Sequence, residues 1–262
     1  MSSIREALKR AQVERQDRLD EEAASKHAET RVETAAATSS MHLMNSKVLR
    51  LPEVPIEFTE EFALFRQAVE TALPRANRSI VMTSANSSSG VSTISQYAAV
   101  SLAIRDGQKT CLIDGNFKSP SVSQQFGLLG DPGLSDFCMG DNELTEVLQR
   151  TECPELYVMG IGTQIQNPSL VLSRDRARTL ASNLSQRFDY VIFDASAVLS
   201  SAESSLLAAS VDGVVLVARA GRTKREVLVK AEKLIRFSGG KVLGVILNRR
   251  QFPIPDAIYK RL

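Results

Sequence analysis

The chain lacks several features that would assign it to a common class at once. No apolar run approaches the ~20 residues needed to cross a bilayer, and the charged N-terminus has no signal-peptide core. The net charge is only +2, which gives no case for a nucleic-acid binder. The three cysteines share no CxxC spacing, so neither a disulfide framework nor a zinc site is indicated. These absences favour a cytoplasmic protein with reduced thiols and no nucleic-acid partner.

The first fifty residues differ in composition from the rest. Ser3-Ile4-Arg5-Glu6 has the spacing of a capping box and predicts a short amphipathic helix from about Ile4 to Leu19. Its apolar stripe is narrow, so a partner-docking helix and a solvated helix both stay open. Residues 20–46 are mainly Ala, Glu, Ser and Thr and predict a flexible linker. We therefore divide the chain into a helix and linker (1–50), an α/β domain (51–250) and a tail (251–262).

Strands and helices alternate through the central part of the chain. Glu60 to Leu73 predicts an amphipathic helix with Phe62, Phe65 and Val69 on one face. The pattern then predicts strands at 79–84, 109–114, 155–160, 189–194, 213–218 and 241–247. It predicts helices at 92–105, 169–187, 201–210 and 223–237, with short helical pieces through 120–149.

Most of these strands are continuously apolar rather than alternating. This is typical of a doubly wound α/β fold, in which a mostly parallel sheet is covered by helices on both faces. Ligands of such sheets bind at the carboxyl ends of the strands. The residues that directly follow each strand are therefore the candidates for function.

The segment after strand 79–84 has the layout of a phosphate-binding loop. Small residues from Ala85 to Gly90 lead into a helix that opens on Ser92-Thr93. In such loops the backbone N–H groups meet phosphate, a lysine reaches the β and γ oxygens, and the next hydroxyl binds Mg²⁺. Here valine occupies the lysine position. The candidate phosphate-binding residues are Ser88, Ser89, Gly90, Val91, Ser92 and Thr93.

Two further strands end in acidic residues. Asp114 closes one strand, two residues before Asn116, and Asp194 closes another. Such residues suit Mg²⁺ coordination and the positioning of a hydroxyl, so Ser92 and Asp194 are candidate metal ligands. An aspartate after a strand also often caps the next helix, and a serine-rich loop is also an ordinary βα turn. Their joint order favours a nucleotide site built on Asp114, Asn116 and Asp194.

At this point the chain resembles the bacterial tyrosine kinases of capsule and exopolysaccharide synthesis, a branch of the deviant P-loop ATPases. The resemblance runs from about Glu60 to Arg249. It includes Pro132-Gly133-Leu134-Ser135-Asp136, Asn167-Pro168-Ser169, Phe188 to Ile192, Val211 to Val217 and Leu243 to Asn248. It implies a P-loop NTPase-like fold and, for an intact member, ATP and Mg²⁺ as cofactors.

The chain also departs from the motifs of that family. Of the motif Pro-Gly-Glu-Gly-Lys-Ser-Thr, only Gly90, Ser92 and Thr93 remain. In the second motif the second aspartate is Asn116 and the arginine is Lys118. In the third, Thr-Pro-Pro is Ala195-Ser196-Ala197.

Two features outside the nucleotide motifs are weakened as well. The oligomer motif Glu-x-x-Arg-x-x-Arg keeps Glu60 and Arg66 but has Ala63 between them. The family's tyrosine-rich tail, which its members autophosphorylate, is reduced to Tyr259, the candidate phosphoacceptor.

These departures predict a catalytically impaired relative, a pseudokinase, that binds no cofactor and acts through interactions in exopolysaccharide or capsule synthesis and chain-length control. Its expected partners are a membrane-embedded polysaccharide co-polymerase (the chain-length regulator), a true kinase paralogue, or a second copy of itself, at the inner face of the plasma membrane. The alternative is an active ATP-dependent tyrosine autokinase in which Lys118 or Lys109 supplies the missing charge. A partition or cell-division ATPase is disfavoured by the Asn-Pro-Ser and Pro-Gly-Leu-Ser-Asp stretches.

Overall fold

A computed structural model describes residues 48–55 and 59–250, with the backbone alone for Thr59 and Glu60. The predicted N-terminal helix, the linker and Tyr259 of the tail lie outside these residues. Within the described ranges, no helix combines the length and apolar character that a membrane span needs.

The described residues form seven strands joined mostly by helices. The strands are β1 (Arg78–Ser84), β2 (Thr110–Gly115), β3 (Leu148–Arg150), β4 (Leu156–Met159), β5 (Tyr190–Ala195), β6 (Gly213–Arg219) and β7 (Val242–Asn248). The helices are α1 (Thr59–Ala72), α2 (Val91–Ile104), α3 (Ser121–Gln125), α4 (Leu134–Met139), α5 (Leu144–Val147), α6 (Pro168–Val171), α7 (Arg174–Ser185), α8 (Ala202–Ala208) and α9 (Arg225–Phe237), with a 3-10 turn at Val198–Ser200.

The strands form a single sheet in the order β3-β4-β2-β5-β1-β6-β7. All neighbouring strands are parallel except β3, which runs antiparallel to β4. The prediction of a doubly wound, mostly parallel α/β fold is confirmed. Because β2 and β5 are neighbours, Asp114 lies directly opposite Asp194 in the register.

The core lies between the central strands and the helices that cover them. Ile80 and Met82 of β1 are fully buried, as are Ala98 and Ala99 of α2. The small side chains of α2 allow its backbone to approach the sheet closely. On α1, Phe62, Val69 and Leu73 are buried in the same core and Phe65 packs against it, which confirms the predicted apolar face.

Two predicted boundaries were wrong. The helical pieces expected to continue to residue 149 end earlier, because Leu148–Arg150 form β3 by pairing with β4. The continuous helix predicted at 169–187 is broken into α6 and α7. The break occurs because the Ser173 hydroxyl accepts a hydrogen bond from the Arg176 N–H at 3.3 Å and starts a new helix.

Within the described residues, the sheet is not covered on both faces along its whole width. β7 is the last described strand on its side, and its side chains are only partly buried. Val245 is 53% exposed and Leu247 is 55% exposed. The described residues therefore leave β7 partly uncovered, and an apolar strand sequence does not distinguish a central strand from an edge strand.

Candidate functional site

A cavity of about 400 Å³ opens at the carboxyl ends of β1, β2 and β5. This is the edge at which parallel sheets bind ligands. Its lining is rich in hydroxyl groups and contains Ser84, Ser87, Ser88, Ser89, Ser92, Thr93, Ser119, Ser121, Ser196 and Ser200, together with Gly90, Val91, Asn116 and Lys118. Among the described lining residues, Lys118 carries the only positive charge and none is acidic.

The predicted phosphate loop is held in place where it joins α2. Gly90 adopts a left-handed conformation (φ 84°) and precedes the first turn of α2. The Asn248 side-chain amide donates to the Ser89 carbonyl at 2.9 Å. A Cβ added to Gly90 would collide with that same amide. The end of β7 therefore fixes the loop, and a side chain at position 90 would be strained by the positive φ and would displace the Asn248 amide.

Three serines at this loop, Ser84, Ser88 and Ser89, are either bonded within it or strained. The hydroxyls of Ser84 and Ser89 donate to the Asn86 carbonyl at 2.7 and 2.9 Å. Ser88 has φ 63°, a left-handed conformation that side chains rarely adopt. The loop therefore holds its shape while a residue with a Cβ occupies a position suited to glycine.

Val91 lines the cavity without offering it a polar group. It is 9% exposed, starts α2 and packs in the main core with Ile94 and Ala98. At the place where a phosphate loop has its lysine, the cavity meets an apolar side chain. The described lining residues still offer the cavity hydroxyl groups and the ammonium group of Lys118.

Asp114 is committed to holding the chain after β2. Its Oδ2 accepts from the Ser123 N–H at 2.7 Å and the Ser123 hydroxyl at 2.8 Å. Its Oδ1 accepts from the Asn116 N–H at 3.1 Å. Burial raises the pKa of this carboxyl even though these bonds oppose the rise. Asp114 therefore accepts hydrogen bonds from the first turn of the following helix, α3, as the capping interpretation of this residue expects.

Asp194 has a free oxygen. Its Oδ1 accepts from the Ser95 hydroxyl at 3.2 Å, whereas Oδ2 is buried without a hydrogen-bond partner. Burial, together with the charge of Asp114, raises the pKa of Asp194 to about 7. The hydroxyls of Ser92 and Ser95 oppose this rise and lower the pKa.

These groups fit a metal ion only in part. Ser92 and the free oxygen of Asp194 match the hydroxyl and carboxylate that Mg²⁺ accepts. The described residues contain no cluster of three His, Cys, Asp or Glu side chains that could hold a metal ion. A Mg²⁺ ion here would need further oxygens from a phosphate ligand or water.

Asn116 and Ser196, at the ends of two adjacent strands, are bonded to each other. The Ser196 hydroxyl donates to Oδ1 of Asn116, which also accepts from the Ser119 N–H at 3.2 Å. The amide of Asn116 is therefore engaged within the protein. Both positions depart from the motifs that the sequence resembles, and the structure brings the two departures into contact.

The two lysines considered as replacements lie at different ends of the sheet. Lys118 lines the cavity, and its ammonium group donates to the Ser200 carbonyl. Lys109 precedes β2, so it lies at the amino end of that strand. Its Nζ is 5.6 and 5.9 Å from the ring centroids of Phe188 and Tyr157. Lys109 therefore cannot supply charge to the cavity.

The candidate oligomer residues are only partly visible. Arg66 is ion-paired within its own chain, to Glu70 at 3.3 Å and to Asp106 at 3.2 Å. The side chain of Glu60 and all of Tyr259 lie outside the described residues.

A second loop at this sheet edge is held by Asp136, within the Pro132-to-Asp136 stretch. Its Oδ2 accepts from the Gly133 N–H at 2.8 Å and the Thr163 N–H at 3.0 Å. Burial would raise the pKa of this carboxyl, but the bonds from Thr163 and Gly133 outweigh it and lower the pKa. The Asn167-Pro168-Ser169 stretch is fixed separately, because the Ser169 hydroxyl donates to Glu203 at 2.6 Å.

Sequence reasoning missed three residues that complete the site. Ser95 bonds Asp194, Ser123 bonds Asp114, and Asn248 bonds the loop. Asn248 could have been predicted from the sequence, because it is a polar residue at the carboxyl end of a strand, β7, just as Asp194 lies near the carboxyl end of β5. Ser95 and Ser123 lie within helices, where a serine has no distinctive pattern.

No protein-family model matches the chain, but curated and solved proteins do. It is 33% identical over 176 residues to the tyrosine-protein kinase CpsD of Streptococcus agalactiae, covering 67% of this chain and 76% of CpsD. It is 30% identical over 209 residues to the tyrosine-protein kinase YwqD of Bacillus subtilis, covering 79% and 88%. The kinase domain of the Escherichia coli tyrosine kinase ETK superposes with a TM-score of 0.70 at 25% identity, covering 78% of this chain and 84% of that domain.

The sequence identity to CpsD and YwqD extends over most of both proteins, and the fold agrees with that of the ETK kinase domain. The resemblance first seen in the motifs is therefore confirmed. The chain belongs to the family of bacterial tyrosine-protein kinases and has its P-loop-like α/β fold.

Proposed function

We propose that this chain is a pseudokinase of the bacterial tyrosine-protein kinase family. It keeps the kinase fold as an interaction scaffold and serves in capsule or exopolysaccharide synthesis, where it influences chain length. The observation that carries the proposal is Val91, a buried apolar side chain at the position where a phosphate loop needs a lysine. Such a lysine forms charge-assisted bonds of about 1.5–3 kcal/mol each, and valine forms none.

Other contacts at the cavity support this proposal. Asn116 offers no carboxylate, and its side-chain oxygen accepts a hydrogen bond from the Ser196 hydroxyl. The Asp114 carboxylate accepts a hydrogen bond from the Ser123 N–H. A pKa of about 7 leaves Asp194 largely protonated below neutral pH, which weakens it as a metal ligand. Gly90 and the N-terminus of α2 remain at the cavity, but Val91 offers no charge to a terminal phosphate and Asn116 offers none to a Mg²⁺ ion.

The scaffold role needs a partner. We place the contact on the N-terminal helix predicted at Ile4 to Leu19 and on α1, whose Leu64 is 66% exposed beside the open strand β7. The partner we propose is a membrane-embedded polysaccharide co-polymerase or a true kinase paralogue. Through it the chain would be held at the inner face of the membrane.

Calorimetric titration of the full chain with Mg-ATP tests the proposal. We expect no heat of binding at micromolar nucleotide and no phosphate release. Micromolar binding accompanied by phosphate release would reject the pseudokinase proposal.

One observation favours a second candidate function, an active autokinase with an atypical loop. Lys118 lines the cavity, and breaking its bond to the Ser200 carbonyl would free its charge to meet a phosphate. In that case the purified protein carries phosphotyrosine after incubation with ATP, and both Tyr259→Phe and Lys118→Met remove it. Absence of phosphotyrosine in the wild type rejects this second candidate.

A further inference from the structure

β7 presents an open backbone edge to the outside of the sheet. Within the described residues it pairs only with β6. The Asn248 carbonyl points toward β6, where it accepts from the Ala220 N–H at 2.9 Å. Because the direction of backbone groups alternates along a strand, Val245 and Leu247 direct their N–H and C=O groups outward.

The same two residues expose their side chains. Val245 and Leu247 share one face of the sheet, and each is more than half exposed. An edge of this kind, with unpaired backbone groups beside apolar side chains, is normally covered or blunted in stable proteins. The residues described around β7 do neither.

The sequence that directly follows is suited to this edge. Residues 252–255 read Phe-Pro-Ile-Pro. Proline has no N–H, so within a sheet it belongs on an edge strand with its nitrogen turned to solvent. Residues two apart in an extended strand direct their backbone groups to the same side. If residues 252–255 form such a strand with Pro253 and Pro255 turned to solvent, the N–H groups of Phe252 and Ile254 face the neighbouring strand.

The turn geometry sets the register. Arg249 has φ 55°, so the chain begins to turn directly after β7. A connection of four residues between Leu247 and Phe252, in which Asn248 still pairs with β6, is a common hairpin length. It places Phe252 opposite Leu247 and Ile254 opposite Val245. Directly opposite residues share a face, so the two apolar side chains of the tail would cover the two exposed ones of β7. A register shifted by one would turn the prolines inward and is excluded.

We propose that residues 252–256 add to β7 in cis as an antiparallel edge strand, with Phe252 and Ile254 packed on Leu247 and Val245. Residues 251–262 lie outside the described part of the chain, so the proposal stands on the edge of β7 and on the tail sequence. It is independent of the nucleotide chemistry.

The pairing has a consequence for Tyr259. An antiparallel tail runs from the carboxyl end of the sheet toward its amino end. Seven residues beyond Phe252, Tyr259 would be about 23 Å from the turn, on the side away from the cavity of its own chain. Phosphorylation of Tyr259 at that cavity in cis is therefore incompatible with the paired tail.

Disulfide trapping in the full-length chain tests the register. Val245→Cys with Ile254→Cys should form an intrachain disulfide, because directly opposite residues lie about 5.5 Å apart between Cα atoms, within the range a disulfide spans. Cys153→Ser removes the one partly exposed native cysteine, and Cys111 and Cys138 are buried. Val245→Cys with Pro255→Cys, one residue out of register, is the control and should form the bond at least about tenfold more slowly.

Each other result of the trapping experiment counts against the proposal. A disulfide between two chains would assign the edge to a second copy. No disulfide, or equal rates in both pairs, would show that the tail does not occupy the edge in this register.

A proline pair tests the hydrogen bonding separately. Ile254→Pro removes an N–H that faces β7, whereas Ala257→Pro changes a residue that faces outward. We expect exchange of the Val245 and Leu247 amide hydrogens to quicken about tenfold or more in Ile254→Pro and to stay unchanged in Ala257→Pro. Equal exchange in both variants would overturn the proposal.

Discussion

Two loops at the same edge of the sheet contrast sharply in how their polar groups are used. In the phosphate-loop region, residues 84–93 with Asp114 and Asp194, one serine is strained and one carboxylate oxygen is unpartnered. In the Asp136 loop, residues 132–136 with 160–163, the carboxylate accepts two backbone N–H groups. The pKa is raised at Asp194 and lowered at Asp136.

The comparison shows that the residues that hold the backbone of a loop are distinct from the residues that would contact a ligand. The residues that hold backbone in place are present in both loops: Gly90, Asp114, Gly133 and Asp136. What differs is the set of groups that would face a ligand, Val91 above all. A chain can therefore keep the family fold and the outline of its site while the electrostatics of that site change.

The largest expected effect is in the Asp136 loop. A Cβ on Gly133 would collide with the Gly160 carbonyl and the Gly162 nitrogen, both backbone atoms that cannot swing away. We expect Gly133→Ala to lower the free energy of unfolding by about 4 kcal/mol, measured by urea denaturation. Gly244→Ala is the control, because no atom lies within 4 Å of its added Cβ. An equal change in the free energy of unfolding in Gly133→Ala and Gly244→Ala would contradict the claim that close backbone contacts hold the Asp136 loop.

Next in size is Asp136→Asn, which weakens two charge-assisted bonds and should cost about 2–3 kcal/mol at pH 7. Because the pKa is lowered in the folded state, the carboxylate stabilises the fold above its ordinary pKa, and this is lost as the pH falls through the lowered value. The variant should lack this acid-dependent loss. Asp141→Asn, on an exposed residue, should change stability by less than about 0.5 kcal/mol. Unfolding curves from pH 7 to pH 3 measure both.

Asp194→Asn should raise the stability of the fold at pH 8, whereas Asp136→Asn lowers it. The folded pKa of about 7 lies well above the ordinary pKa of an aspartate, so the protonated form stabilises the fold at low pH and that stability is lost between about pH 4 and 7. A shift of this size corresponds to at most about 4 kcal/mol. We expect the variant to be more stable than wild type by about 2 kcal/mol at pH 8 and similar to it at pH 5. A variant less stable at pH 8 would contradict the raised pKa.

The smallest effect is expected at Ser88. Its left-handed backbone costs about 1–2 kcal/mol, and glycine would relieve this while losing about 0.5–1 kcal/mol to the entropy of the unfolded chain. Ser88→Gly should therefore stabilise the protein by about 0.5 kcal/mol. Ser87→Gly, where φ is not positive, should destabilise it by about as much. The thermal unfolding midpoints of the two variants test this. A midpoint above that of the wild type for Ser88→Gly and below it for Ser87→Gly would support strain at position 88.

The sequence predicted the fold because long apolar runs define strands well, and β1, β2, β5 and β6 begin and end within one residue of their predicted bounds. β3 was missed because three residues carry no periodic signal and their pairing depends on β4. The α6–α7 break was missed although Ser173 has the residue type of a helix cap.

The site was predicted only at residues that end or follow a strand. Asn116, Lys118 and Ser196 follow β2 or β5 and line the cavity, and Asp114 and Asp194 are the second-last residues of β2 and β5. Ser95 and Ser123, which bond Asp194 and Asp114, lie in helices and are brought in by packing. A pKa depends on such partners and on burial, so the difference between Asp194 and Asp136 could not be read from their residue type.

The most direct test compares Mg-ATP binding, by calorimetry, in the wild type and in the double variant Val91→Lys, Asn116→Asp. If the loop persists and only its charges are missing, the wild type shows no binding and the double variant binds at micromolar nucleotide. Binding by the wild type with an affinity equal to that of the double variant would contradict the account.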